Sequence, residues 1–124
     1  MNAGSNDATA SLPQIISDYL TASERGDIDA ILACFTADAL VIDEQREWQG
    51  AEAIRRWRGS VATTYEYTVQ VTGSASLEAV DDLQRYEVYT HLKGNFPGGE
   101  VDLTDHLALR DGLIARLEIK PTEP

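Results

Sequence analysis

The sequence predicts an α+β fold: three N-terminal helices packed in a curved, mostly antiparallel sheet. Three observations predict it. Apolar residues recur at helical spacing in three segments before Tyr65. From Tyr65 onward they alternate with a period of two. Turn signals at Asn95-Phe96-Pro97-Gly98-Gly99 and Asp111-Gly112 then fold neighbouring strands into hairpins. Helices and strands segregated in this way give α+β rather than alternating α/β architecture. Long strands with one apolar face need a cover, and the helices are the cover available. A curved sheet wrapped around helices leaves a cavity at its open end, a usual place for a small ligand.

The elements follow in order. Residues 1–10 (MNAGSNDATA) are small and polar and read as a disordered tail, followed by one domain over 11–121 and a frayed end at 122–124. Ser11 is the expected cap of the first helix, with Pro13 in its first turn. Leu12, Ile15, Ile16, Tyr19 and Leu20 form its apolar stripe, and Gly26 ends it. Tyr19 therefore sits on the buried face, with a hydroxyl that needs a partner. Asp27 caps a second helix whose apolar face is Ile28, Ile31, Leu32 and Phe35. Asp38–Asp43 reads as a short strand that is covered on both sides. Asp43 ends it, and on local grounds alone it reads as a strand-terminating loop residue. Glu47-Trp48-Gln49 reads as a second short strand. Gly50 starts a third helix, with Ala53, Ile54, Trp57 and Val61 on one stripe. Arg56 and Arg58 on this helix read as solvated charges.

Four long alternating strands complete the sheet. The inward face of the first carries Tyr65, Tyr67, Val69 and Val71, with a bend or bulge between Gly73 and Ser76 before it resumes toward Val80. The next carries Tyr86, Val88, Thr90 and Leu92, and the last carries Leu113, Ala115, Leu117 and Ile119. Between these two lies Val101–Leu109. Its apolar face is Val101, Leu103, Asp105, Leu107 and Leu109, which sets one carboxylate in the middle of a core-facing row. A lone buried carboxylate is costly when charged and unpaired. Either a bulge turns Asp105 outward, or it stays protonated, finds a partner or lines a cavity where it does chemistry.

Bulk properties limit the function classes. The chain has 124 residues, 43% hydrophobic and 25% charged, with 21 acidic and 10 basic residues and a net charge of −11. That balance argues against nucleic acid and against an anionic membrane surface as partners. No apolar run is long enough to span a bilayer, and the expected location is cytoplasmic. Cys34 is the single cysteine, which excludes an internal disulfide and a cysteine-based metal site; it reads as a small buried residue in a helix. His91, His106 and Asp102 lie on outward faces by alternation, so no metal site is expected.

The chain resembles the nuclear transport factor 2-like superfamily, a cystatin-like cone of sheet around a pocket. The resemblance rests on Arg25-Gly26-Asp27-Ile28-Asp29-Ala30-Ile31, Phe35-Thr36-Ala37-Asp38-Ala39, Gly50-Ala51-Glu52-Ala53-Ile54 and Asp111-Gly112-Leu113-Ile114. It covers nearly the whole chain after about residue 11. The Asn95–Gly99 turn and its flanks look more like the polyketide-cyclase-like (SnoaL-like) branch. Ketosteroid isomerases of this superfamily use a Tyr on the first helix, an Asp after the first strand and an Asp on the third long strand. Tyr19, Asp43 and Asp105 match these in turn.

The resemblance implies proton transfer next to the carbonyl of a small apolar compound. Asp43 would be the base, and Tyr19 with a protonated Asp105 would hold the enolate oxygen. It implies no metal or organic cofactor, and a homodimer. Phe35, Trp48, Trp57, Tyr86, Val88, Leu103 and Leu107 are the expected apolar lining, with core packing as the alternative for each. Glu44 stands where the isomerases usually have Pro, and Phe35 and Arg58 stand near where their helper tyrosines would be. Three alternatives stay open: a SnoaL-like polyketide cyclase or other acid–base enzyme, a non-catalytic ligand-binding or dimerisation module, and an engineered carbon-acid deprotonase on this scaffold.

Overall fold

A computed structural model describes residues 12–64 and 66–122, without the side chains of residues 61–64. The expectations for the tail, the Ser11 cap, Val61, Tyr65 and residues 123–124 lie outside the described residues. The elements are α1 (Gln14–Arg25), α2 (Ile28–Leu32), β1 (Phe35–Asp43), β2 (Arg46–Gln49), α3 (Ala51–Thr64), β3 (Tyr67–Val80), β4 (Leu83–Gly94), β5 (Glu100–Arg110) and β6 (Leu113–Pro121). The strands form one mixed sheet in the order β2-β1-β6-β5-β4-β3, in which only β1 and β6 run parallel. The fold is α+β with three helices, and the third follows the first two strands rather than preceding the sheet.

The α1–α2 joint forms as its residues dictate. Gly26 takes the left-handed conformation (φ 70°) that closes α1, and its neighbour Asp27 caps α2 by accepting from the Ala30 N–H. Pro13 stands at the N-cap of α1, and among the described residues no side chain caps that end. Proline fits there because its missing N–H costs nothing before the first turn.

Two expectations are corrected beside this joint. Helix α2 stops at Leu32, so Phe35 belongs to β1 and Cys34 lies just past the helix. The chain leaves the helix because the Cys34 carbonyl accepts from Ile114 N–H and Phe35 registers with Ile114 on β6. A bulge between Phe35 and Leu40 follows, where Asp38 is held by the Thr36 hydroxyl and Arg110.

The core lies between the helices and one sheet face. Ile16 and Tyr19 of α1, Ile31 of α2 and Ile54 and Trp57 of α3 pack on Val41, Val88, Leu107, Ile114 and Leu117. Lateral pairing sorts this face into rows. Val41, Leu117, Leu107 and Tyr86 form one row, and Asp43, Ile119, Asp105 and Val88 form the next. The first row belongs to the closed end and the second stands at the edge of the cavity.

Gly94, at the end of β4, lets β3 close over that cavity. A Cβ there would run into the Glu66 carbonyl and lie 2.7 Å from Tyr67 Cβ and 2.8 Å from the Phe96 ring. Gly94→Ala is expected to cost about 1–3 kcal/mol, since two of the obstacles cannot swing away. A thermal unfolding midpoint equal to that of the wild type would show that the turn relaxes around the methyl.

Candidate active site

Asp43 and Asp105 both register with Ile119, Asp43 from β1 and Asp105 from β5. Laterally paired residues project to the same face, so the two carboxylates flank one isoleucine, with Cα atoms about 10 Å apart at two strand spacings. Asp105 keeps its inward place: it is 6% exposed, and no bulge turns it out. The register irregularity of β5 against β6 falls later, between Ala108 and Leu109.

The helices bring three further side chains over this row. Tyr19 comes from the buried stripe of α1, is 3% exposed and packs edge-to-face on Phe35 with ring centroids 5.6 Å apart. Trp57 of α3 donates its indole N–H to the Asp43 carboxylate at 2.9 Å. Its neighbour Arg58 is 5% exposed, which corrects the expectation of a solvated charge. Arg58 occupies the inward helix position four residues after Ile54, so helix geometry carries it inside. It donates to the Ser23 carbonyl (3.2 Å) and to the Tyr67 hydroxyl (2.7 Å), and its guanidinium carbon lies over the Trp57 ring, 5.0 Å from the centroid.

These surroundings set the protonation states. Burial pushes the Asp105 carboxyl up to about 7; the Asp43 charge adds to that rise and Arg58 opposes it. Asp105 is therefore protonated through much of the range below neutrality. Burial also pushes the Tyr19 hydroxyl well above the usual tyrosine range, with Arg58 opposing and Asp105 adding. It stays a neutral donor at neutral pH. Burial disfavours the Arg58 charge, but Tyr19, Tyr67 and Asp43 outweigh that and hold its pKa above the ordinary arginine value.

Tyr19, Asp43, Asp105, Trp57 and Arg58 all line one cavity of about 1220 Å³. Its apolar wall is Leu20, Val69, Leu92, Phe96, Val101, Leu103 and Ile119. The space continues around the open end of the sheet to Tyr89, Thr104 and His106, which alternation puts on the opposite sheet face, so the enclosed part is smaller than the whole volume. Of the expected lining, Trp57 and Leu103 face the cavity. Phe35, Val88 and Leu107 are buried in the core behind it, and Trp48 and Tyr86 pack partly buried against that core. Tyr67 and Ser23 line the cavity without having been expected there, and Arg58 lines it too, as its place near the helper-tyrosine positions of the isomerases allows.

The histidines stand away from the row of Asp43 and Asp105. His91 sits between Asp102 (2.6 Å) and Glu100 (2.8 Å), whose carboxylates raise its pKa, and His106 faces Glu87 at 3.3 Å. Among the described residues no three His, Cys, Asp or Glu side chains gather as a metal set, and no helix is long and apolar enough to cross a membrane.

Comparison with known proteins points the same way. The profile of the SnoaL-like domain matches residues 16–117. A candidate polyketide cyclase from Sinorhizobium meliloti is 35% identical; the match covers 90% of this chain and 98% of that one, with a TM-score of 0.79. A hypothetical protein from Catenulispora acidiphila, with a ketosteroid isomerase-like fold and bound trimethylamine, shares the fold at 19% identity, with a TM-score of 0.74 over 89% of this chain and 86% of that one. The orange carotenoid protein of Anabaena (Nostoc), which binds canthaxanthin, shares it at 17% identity, with a TM-score of 0.76 over 90% of this chain and 36% of that one. No match is found among curated proteins.

Proposed function

The chain belongs to the SnoaL-like family of the nuclear transport factor 2-like superfamily, and from that premise we propose that it is an acid–base enzyme that moves a proton next to the carbonyl of a small, largely apolar compound. One observation carries the reading. Two carboxylates in one row face the same cavity in different surroundings, and burial raises Asp105 to about 7 while Asp43 stands half-buried at the mouth on an indole N–H. Carboxyl groups whose environments differ in this way divide acid and base roles between them.

In this reading Asp43 takes the proton from the carbon beside the carbonyl. Negative charge collects on the carbonyl oxygen, where the Tyr19 hydroxyl and the Asp105 carboxylic acid donate to it. The enolate then has two exits. Asp43 returns the proton at a second carbon, which is isomerisation. Alternatively, the enolate carbon attacks a second carbonyl of the same molecule and the new alkoxide takes the proton, which is ring closure. The second exit is supported by the 35% identity to a candidate polyketide cyclase.

The test is turnover of two substrates side by side. A β,γ-unsaturated cyclic ketone reports isomerisation through the absorbance of its conjugated product, and an open-chain polyketone reports cyclisation through ring formation. Binding of both without turnover of either would return the chain to the non-catalytic reading. Trp57→Phe supplies a finer check. It keeps an aromatic ring on the core but removes the N–H on Asp43. Hydrogen bonds to charged groups are worth about 1.5–3 kcal/mol, so kcat/KM is expected to fall at least about tenfold. An unchanged kcat/KM would mean that Asp43 is positioned without the indole.

A further inference from the structure

Arg58 is a buried cation whose hydrogen-bond acceptors among the described residues are a carbonyl and a hydroxyl, neither of them a carboxylate. Both bonds leave from Nη2, and the buried Nε has no acceptor among the described residues. The Asp43 charge supports the guanidinium from a distance, but a buried guanidinium that no carboxylate contacts directly is costly. Arg58 is also part of the cavity wall. The same is true of Tyr67, whose hydroxyl accepts from Arg58 at 2.7 Å. A hydroxyl that accepts from a cation turns its own hydrogen away from that cation, and it donates more strongly for being polarised. Leu20, Val69 and Leu92 line the cavity with this pair and give it apolar surroundings on that side.

We propose that Arg58 and Tyr67 form a recognition point for an anionic oxygen, and that the ligand carries such an oxygen in addition to the carbonyl at which the proton moves. The inference rests on the acid–base reading for that second carbonyl. The chemistry shared by the candidate ligands is a negatively charged oxygen on a short apolar frame, either a carboxylate or the enolate of a 1,3-dicarbonyl unit. The oxygen accepts from the Tyr67 O–H, and the guanidinium behind it supplies the counter-charge. The net charge of −11 disfavours anions over the chain as a whole, so selection of an anion depends on this local cation.

The experiment is equilibrium binding by calorimetry to the full chain, with two matched probe pairs. 2-Naphthoate against 2-naphthamide tests a carboxylate. Benzoylacetone, at a pH where it is enolate, against butyrophenone tests a dicarbonyl. In the wild type, one anionic probe is expected to bind at least about tenfold more tightly than its neutral match, the value of one hydrogen bond to a charged group. Tyr67→Phe keeps the ring and is expected to erase that preference while the chain still unfolds cooperatively; Arg58→Gln is expected to erase it too. The pair that shows the preference identifies the source of the anion. Equal affinity within both pairs, no binding of either anionic probe, or a preference that survives Tyr67→Phe overturns the proposal. Because the readout is binding, loss of turnover with an intact anion preference would count against the acid–base reading alone.

Discussion

Asp43→Asn is expected to lower the rate of proton transfer about a thousandfold while leaving the fold intact. The amide oxygen still accepts from the Trp57 indole, so the strand end and α3 keep their contact. What disappears is a group able to take a proton from carbon, and a positioned general base contributes roughly 10²–10⁴-fold. Steady-state kinetics on the β,γ-unsaturated ketone would check it. A variant within about threefold of the wild-type rate would remove Asp43 from the reaction, and Asp105 would then be the carboxylate left beside Ile119.

Asp105→Asn is expected to stabilise the protein at pH 8 by about 4 kcal/mol. Asp105 rises from 3.8 to about 7 on folding, roughly three units, and each unit is worth about 1.4 kcal/mol. The sign follows from proton counts. Between pH 4 and pH 7 the folded chain holds a proton on Asp105 that the unfolded chain has released. Stability from this residue is therefore fully present below about pH 4, falls as the pH rises through about 7, and is then lost. Asparagine carries no such dependence, so the two denaturation curves should nearly coincide near pH 3 and separate on the alkaline side. Activity should follow the same group. If the acid form of Asp105 donates to the enolate, the wild-type rate declines above about pH 7 and the decline is absent in the variant. Parallel stability curves across this range would mean that the carboxyl is solvated in the folded state.

Much of this arrangement was legible in the chain. The α1 stripe, the Gly26-Asp27 joint and the alternation on β5 placed Tyr19 and Asp105 inside, because periodicity reports which face a residue takes. Periodicity does not report depth along a strand. Phe35, Val88, Leu103 and Leu107 all face inward, yet only Leu103 reaches the cavity, since the register with neighbouring strands decides which row is closed by helices. Arg58 did leave a signal. It shares the stripe of Ile54 and Trp57, and its position on that stripe, not its charge, sets its burial. The Trp57–Asp43 and Arg58–Tyr67 bonds join separate elements, and no local pattern encodes them.

The place of β6 has a consequence for how the molecule comes together. Ile119 is the shared neighbour of both carboxylates, and its pairing with Asp43 joins positions 76 residues apart in the chain. Contacts of such high order form late, because the entropy of closing the intervening loop is lost before the contact returns any energy. The β3–β4–β5 meander can assemble from near neighbours, but of the two carboxylates it carries only Asp105. In refolding, ligand binding should therefore appear after most strand signal has returned, in the step that docks β6 between β1 and β5.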